Sequence, residues 1–406
     1  MRAATLGALG LVLALVGCGC GASTSDPPGS ATPAGRATTP APRATSPSQR
    51  TTTSEVALAA PRVVADVAAG CRHACARTAD GGVACWGDNQ FAQLGRGSAG
   101  GRHTAARVSG LSGVVEVAAT CFSTCVRLED GTVRCWGHNA SGEAGDGSEV
   151  VRPSPVVATG LSDVVMIDGG DEAICAVTRA GRVYCQGRAT SNAPRTSLGT
   201  AVTGIDDATQ VAVGEGNVCA LRRGGTIVCW GSDADSGELG DGATEPRTAP
   251  TAVVDVAHAS EVSISGAGGC ARVARGELRC WGFASTGREP GCASRMIDGP
   301  SGVIQEYCPR PVRLEGVVGA RQVALGTGVQ AAVLEEGRVL TWNAYDARPP
   351  TPAGGVEDAL LLAAGSNFVC VRRRSGAVAC WGSNESGQLG DGTTQPRQDA
   401  RDVVIP

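Results

Sequence analysis

A chain of 406 residues ordinarily divides into two or three domains, but 59 glycines and an aromatic content of 3% leave too few large rings for a conventional aromatic core. Its 18 cysteines exceed what a reducing cytosol usually tolerates without metals, and its 35 basic residues, all arginine, stand against 39 acidic ones. The resulting charge of −4 excludes a global nucleic-acid-binding field, and four histidines supply little material for imidazole-based chemistry.

The chain opens on Arg2 and an apolar run over residues 6–16, LGALGLVLALV, which is too short to span a bilayer as a helix. Residues 1–17 therefore read as a signal peptide. The quartet Leu15-Val16-Gly17-Cys18 resembles a bacterial lipobox, whose cysteine is acylated and becomes the first residue. Acyl chains would anchor the protein in a bilayer, each buried methylene adding ~0.8 kcal/mol. Gly19 in place of aspartate favours the outer membrane or cell surface. The competing reading is an ordinary cleaved signal in which Cys18 is incidental. Residues 18–54 are the lipidated N-terminus and a tether of Ser, Thr, Pro and Ala, too poor in aliphatic bulk to offset its ordering entropy. Cys20 has no obvious partner there, and no later stretch is long and apolar enough for a transmembrane helix.

Residues 55–406 repeat one unit. With Cys75 as a register mark, the equivalent positions are Cys125, Cys175, Cys219, Cys270, Ala331 and Cys370, a period of about 50 residues. Eight residues before each mark stands an aliphatic (Val67, Val117, Ile167, Val211, Val262, Val323, Leu362), and six after stands glycine (Gly81, Gly131, Gly181, Gly225, Gly276, Gly337, Gly376). Ten after stands cysteine in six copies (Cys85, Cys135, Cys185, Cys229, Cys280, Cys380) and Thr341 in the sixth repeat. The next residue is Trp86, Trp136, Trp230, Trp281, Trp342 and Trp381, with Gln186 in the third repeat.

Valine-rich runs punctuated by glycine predict strands throughout. A three-residue loop such as Ala79-Asp80-Gly81 closes a hairpin if its last residue is left-handed, which glycine adopts freely. Counting back from that loop puts Cys75 and Cys85 at a non-hydrogen-bonded pair, where Cα atoms approach ~4.5 Å and a disulfide can form. The repeat lacking one cysteine, Ala331, also lacks the other, Thr341. The alternative is a metal site of Cys71, His73, Cys75 and Cys85, which the other repeats do not reproduce. Of the remaining cysteines, Cys71 and Cys121 share one repeat position and could bridge neighbours. Cys292 and Cys308 lie in an insertion, residues 283–310, which they would staple.

The runs Trp86-Gly-Asp-Asn-Gln-Phe-Ala-Gln-Leu-Gly95, Trp136-Gly-His-Asn-Ala-Ser-Gly-Glu-Ala-Gly145 and Trp381-Gly-Ser-Asn-Glu-Ser-Gly-Gln-Leu-Gly390, with the preceding hairpin and a proline–valine strand (Pro309-Arg-Pro-Val312), resemble the regulator of chromosome condensation repeat. The resemblance covers residues 55–406 and implies an all-β fold, a seven-bladed β-propeller of four-stranded blades. Strand-like ends at Glu55–Ala60 and Asp402–Ile405 suggest one blade completed from both termini. The third and sixth repeats depart from the pattern at Gln186 and in TWNAYDARPP. The founding member's nuclear nucleotide-exchange and chromatin-binding roles do not carry over to an exported, slightly acidic chain, so the resemblance implies fold and not activity.

Candidate chemistry is sparse. His73, His103, His138 and His258 occupy unrelated repeat positions without a nucleophile at motif spacing, and read as solvated loop or strand-end residues. Asp233-Ala-Asp235-Ser-Gly237-Glu238 resembles a calcium loop only faintly. Arg372-Arg-Arg374 reads as a solvated rim, and the Trp-Gly tryptophans as inter-blade packing. No catalytic residue, metal, cofactor, nucleotide or nucleic-acid partner is expected. The reading is a displayed, non-enzymatic scaffold, anchored to the bilayer, that binds another protein through propeller-face loops. The insertion, with Arg288, Arg295, Tyr307 and Arg310, is the first place to look for anchors. Rival readings are an inhibitor of a secreted enzyme and an envelope carbohydrate-binding propeller, conceivably a hydrolase. The last would need acids such as Asp146, Glu238 and Asp241 to converge.

Overall fold

A computed structural model describes residues 63–190, 195–232, 236–283, 292–296, 304–345 and 348–406. The signal peptide, the tether, the Glu55–Ala60 segment and Arg288 lie outside the described residues. Seven antiparallel sheets follow one another along the chain, each ordered from an inner strand outward. Blade 1 comprises Val64–Ala69, His73–Thr78, Val83–Asp88 and Arg102–Arg107. The inner strands of the others are Val114–Ala119, Val164–Gly169, Ala208–Val213, Glu261–Ser265, Ala320–Leu325 and Ala359–Ala364. Each inner strand touches the next, and the seventh touches the first, so the ring is a closed seven-bladed propeller.

The repeated glycine shows how the sequence builds that ring. All seven copies, from Gly81 to Gly376, have positive φ at the hairpin tip, the conformation the three-residue loop requires. The tip also abuts the entry to the following blade. A Cβ on Gly181 would fall 2.5 Å from the Asp206 carbonyl oxygen, and one on Gly276 2.5 Å from Ala320 N. The tip carbonyl accepts the first amide of the next inner strand: Val114 N donates to Gly81 O at 3.1 Å, Val164 N to Gly131 O at 3.1 Å, and Ala208 N to Gly181 O at 2.9 Å. The same bond closes the circle, Val64 N to Gly376 O at 2.9 Å.

The core lies in the seams between blades. Five of the seven seams hold the cysteine pair of one blade and the tryptophan of the next, among them Cys75 and Cys85 with Leu94 and Trp136, Cys219 and Cys229 with Leu239 and Trp281, and Cys370 and Cys380 with Leu389 and Trp86. Paired cysteines sit opposite one another in register, with Cα atoms 4.1 Å apart in Cys75–Cys85 and Cys125–Cys135. Cys175–Cys185, Cys219–Cys229, Cys270–Cys280 and Cys370–Cys380 repeat the arrangement, while Ala331 and Thr341 occupy the same paired register in blade 6. Cys71 bonds Cys121 across blades 1 and 2, and Cys292 bonds Cys308. A fold so stitched belongs to an oxidising environment.

The blades are four-stranded, and blade 5 gains a fifth strand because Ala293–Met296 in the insertion pairs with a long outer strand, Ile304–Arg313. One expectation is corrected. The segment beginning at Asp402 is not a strand of a blade shared between the termini. Asp402 ends the outer strand of blade 7, Arg397–Asp402, and Val403 and Ile405 then bury in the seam with Val64, Val67 and Trp86. No helix among the described residues is long and apolar enough to cross a membrane.

Candidate interaction face

Antiparallel blades place two sets of loops at the same end of the ring: those joining inner to second strands, and the long Trp-Gly loops joining third to outer strands. The second set is held rigid by its own side chains. In blade 1 the Asn89 carboxamide donates to Ser98 O at 2.9 Å while its oxygen accepts Leu94 N at 3.1 Å. Asn139 and Asn384 repeat this in blades 2 and 7. Three tryptophans then tie their blades to the preceding loop: Trp86 Nε1 donates to Gln388 O at 2.9 Å, Trp136 Nε1 to Gln93 O at 2.8 Å, and Trp281 Nε1 to Glu238 O at 2.9 Å. Gln186, the departure in the third repeat, preserves the bond, since its Nε2 donates to Glu143 O at 2.8 Å.

The acids considered for a catalytic pair are occupied separately in their own loops. Asp146 meets Arg152 Nε at 2.5 Å and Asp241 meets Arg247 Nε at 2.6 Å. Glu238 is buried in its loop. Of the calcium-like run, 233–235 lie outside the described residues. The candidate thiolates Cys71, Cys75 and Cys85 are all in disulfides. Among the described residues no group of three His, Cys, Asp or Glu side chains could hold a metal ion.

Of the insertion residues, three lie among the described ones. Arg295 is in the added strand opposite Gln305. Tyr307 is half-buried, its ring 6.0 Å from that of Phe283, and Arg310 pairs with Asp255 at 3.0 Å. The basic run is structural: Arg372 Nε donates to Val64 O at 2.6 Å across the closing seam, and Arg373 pairs with Asp358 at 2.9 Å. His73 is also unlike its expected solvated state. It is fully buried, with Nε2 2.9 Å from Thr124 Oγ1, and desolvation lowers its pKa to about 4.

Around the axis, the residue nine before the mark reaches to the next inner strand in most repeats. Asp66 accepts Val117 N at 3.5 Å, Glu116 accepts Ile167 N at 3.3 Å, and Gln210 exchanges two bonds with Val262 at 3.0 and 2.8 Å. Glu261 and Gln322 act likewise on Val323 and Leu362. Burial raises the pKa of Asp66, Glu116 and Glu261 and pushes Asp168 up to about 7, and Glu261 and Asp168 line an axial channel of about 230 Å³.

At the loop end the channel opens into a mouth lined by the position four before six of the seven marks: Cys71, Cys121, Asp171, Glu215, Thr327 and Ser366. The two cysteines are bonded to each other, and Thr327 Oγ1 donates to Glu215. The Asp171 carboxyl is held above its ordinary pKa by desolvation and by Glu215 and Glu172 beside it. Nearby, His138 Nδ1 bonds Glu143 at 2.6 Å, which raises the imidazole pKa. Spacing analysis singled out Cys71 and Cys121 at this position but not Asp171 and Glu215, which share their register.

These features define a seven-bladed propeller with disulfides inside the blades and tryptophan bonds between them, presenting one end as a rigid loop surface. Its repeats match the family model described as the regulator of chromosome condensation (RCC1) repeat at residues 64–93, 114–143 and 361–388. Three of its seven repeats thus carry that family's pattern. It is similar in fold to yeast RCC1 (Prp20) bound to Kap60, at 21% identity and a TM-score of 0.63, covering 75% of this chain and 79% of that one. Saccharomyces cerevisiae Prp20p, in a structure described with its binding properties to Gsp1p and histones, aligns at 18% identity and a TM-score of 0.64, covering 84% and 87%. Human WBSCR16 aligns at 20% identity and a TM-score of 0.65, covering 80% and 94%. No curated protein sequence matches the chain.

Proposed function

We propose that the protein is an exported, membrane-anchored, non-enzymatic scaffold that binds another protein through the loops at one end of its propeller. The observation that carries this reading is the way the loop end is built. Asn89, Asn139 and Asn384 lock their loops, while Trp86, Trp136, Trp281 and Gln186 bolt loop to blade, so a broad surface is prepaid in conformational entropy before any partner arrives. Asp146 and Asp241 are neutralised by arginines in separate loops, which removes two acids from any hydrolytic pair. The comparison structures add support, since yeast Prp20 is a propeller with Kap60 bound and with binding properties to Gsp1p and histones. The anchor rests on Arg2, the apolar run and Cys18.

Affinity capture from an envelope fraction, using the full chain and a variant lacking residues 284–291, tests the scaffold role. One protein retained at stoichiometric yield supports it. Capture of nothing above background by either form contradicts it. Labelled fatty acid should enter the wild-type chain and not Cys18→Ser; equal labelling of both contradicts lipidation at Cys18.

A further inference from the structure

The chain has few aromatics outside its tryptophans, and their placement is uneven. Phe91, Phe122 and His138 form one edge-to-face cluster, with ring centroids 5.1 Å apart for the two phenylalanines and 5.2 Å for Phe91 and His138. Phe283, Tyr307 and Tyr345 form a second, with Phe283 6.0 and 5.7 Å from the two tyrosines. Both clusters are carried on loops at the mouth end or on the strand of the insertion, and none of these rings is fully buried; Tyr345 is 43% exposed. Between them lie the acids. Asp171 feels Glu215, Glu172 and Glu143, and burial followed by Glu215 and Glu238 raises the Tyr345 phenol pKa, which places that ring beside the row. Arg188 pairs with Glu172 at 2.8 Å and His138 with Glu143, whereas among the described residues no cation pairs with Asp171 or Glu215. Beneath them the buried Asn217 Oδ1 has no hydrogen-bond partner and lies against Gly214, a wall residue of the mouth.

We propose that this end is the docking surface for a basic segment of a partner protein, with arginine entering the acidic mouth between the two aromatic clusters. The proposal rests on the scaffold reading above and assigns it a face and a partner chemistry. A half-buried carboxylate at Asp171, with Arg188 as its nearest cationic influence, and an exposed one at Glu215, neither in an ion pair among the described residues, favour a cation over any neutral group. Half-exposed ring faces on either side favour a planar guanidinium, which stacks as well as pairs, over a lysine ammonium.

The test uses the full chain with its disulfides intact and two probes, fluorescein-labelled nona-arginine and nona-lysine, followed by anisotropy at physiological salt. Nona-arginine is expected to bind at least fivefold more tightly than nona-lysine. Asp171→Asn with Glu215→Gln should weaken nona-arginine binding at least tenfold. Glu129→Gln with Glu335→Gln, the same charge change at the opposite end, should weaken it less than twofold. Phe91→Ser with Tyr345→Ser should erase the preference for arginine while leaving nona-lysine binding within twofold, a readout that separates stacking from general charge. Equal losses from the two acid pairs, or no wild-type binding, overturn the proposal. Because envelope capture is scored separately, a partner captured by a chain that ignores nona-arginine would sink this assignment and leave the scaffold reading standing.

Discussion

Replacing His73 with glutamine should remove an acid-labile element from the first seam. The tautomer follows from the partners: Thr124 Oγ1 donates to Gln93 O at 2.9 Å, so it accepts from His73 Nε2–H, and Nδ1 is left bare in a dry site without a partner. Protonating Nδ1 would bury a charge with no acceptor, and desolvation accordingly lowers the pKa from 6.5 to about 4. A histidine depressed in the folded state costs stability as pH falls, because the unfolded chain takes the proton first. The loss begins near 6.5, grows towards 4 and is constant below that, reaching about 3 kcal/mol from the shift just given. Asp66, Glu116, Asp168 and Glu261, with raised pKa values, act in the opposite sense and lose stability as pH rises. Comparison of wild type with His73→Gln cancels them. Asn217 fills the equivalent position in blade 4, where its side-chain amide donates to Ser265 O at 3.4 Å, so a neutral carboxamide has a precedent in the ring. Guanidinium unfolding at pH 7.5 and 4.5, with disulfides oxidised, should show the wild type losing about 2–3 kcal/mol more than His73→Gln over that interval. A difference between the two proteins that does not change with pH would refute the reasoning.

Other perturbations have definite signs. Ala331→Cys with Thr341→Cys places a pair where the register already matches that of six disulfides, so it should oxidise spontaneously and add up to ~3 kcal/mol in guanidinium unfolding; persistent free thiols would contradict the shared geometry. Gln186→Leu keeps the volume but leaves Glu143 O without its donor, and should cost about 1–3 kcal/mol by the same assay. Asp168→Asn removes an acid whose pKa burial pushes to about 7, so it should gain stability relative to wild type at pH 8 and little at pH 4. Equal effects at both pH values would argue against a buried carboxyl there.

The parts of the fold legible in the sequence are those where one steric demand recurs in every repeat. The hairpin glycine must be left-handed and must also let the next blade approach, so it is invariant across seven copies and marks the register unaided. The cysteine pairs follow by counting from it. The mouth was not legible, because Asp171, Glu215 and Thr327 come together only when the ring closes, although each is tens of residues from the next in sequence. His73 looked like a strand-end residue, and its burial depends on Thr124 in the neighbouring blade. The apolar alternation of Val403 and Ile405 read as a strand, but Arg397–Asp402 already occupies the outer edge of blade 7. Those side chains plug the seam instead. Arg372 looked solvated for a similar reason: the carbonyl it binds, on Val64, belongs to the far end of the chain.

Non-reducing peptide mapping of protein purified from its native source tests the stitched ring most directly. The account predicts six linked pairs ten residues apart, from Cys75–Cys85 to Cys370–Cys380, together with Cys71–Cys121 and Cys292–Cys308. Free thiols at Cys125 and Cys135, or linkages that join other repeats, would contradict it.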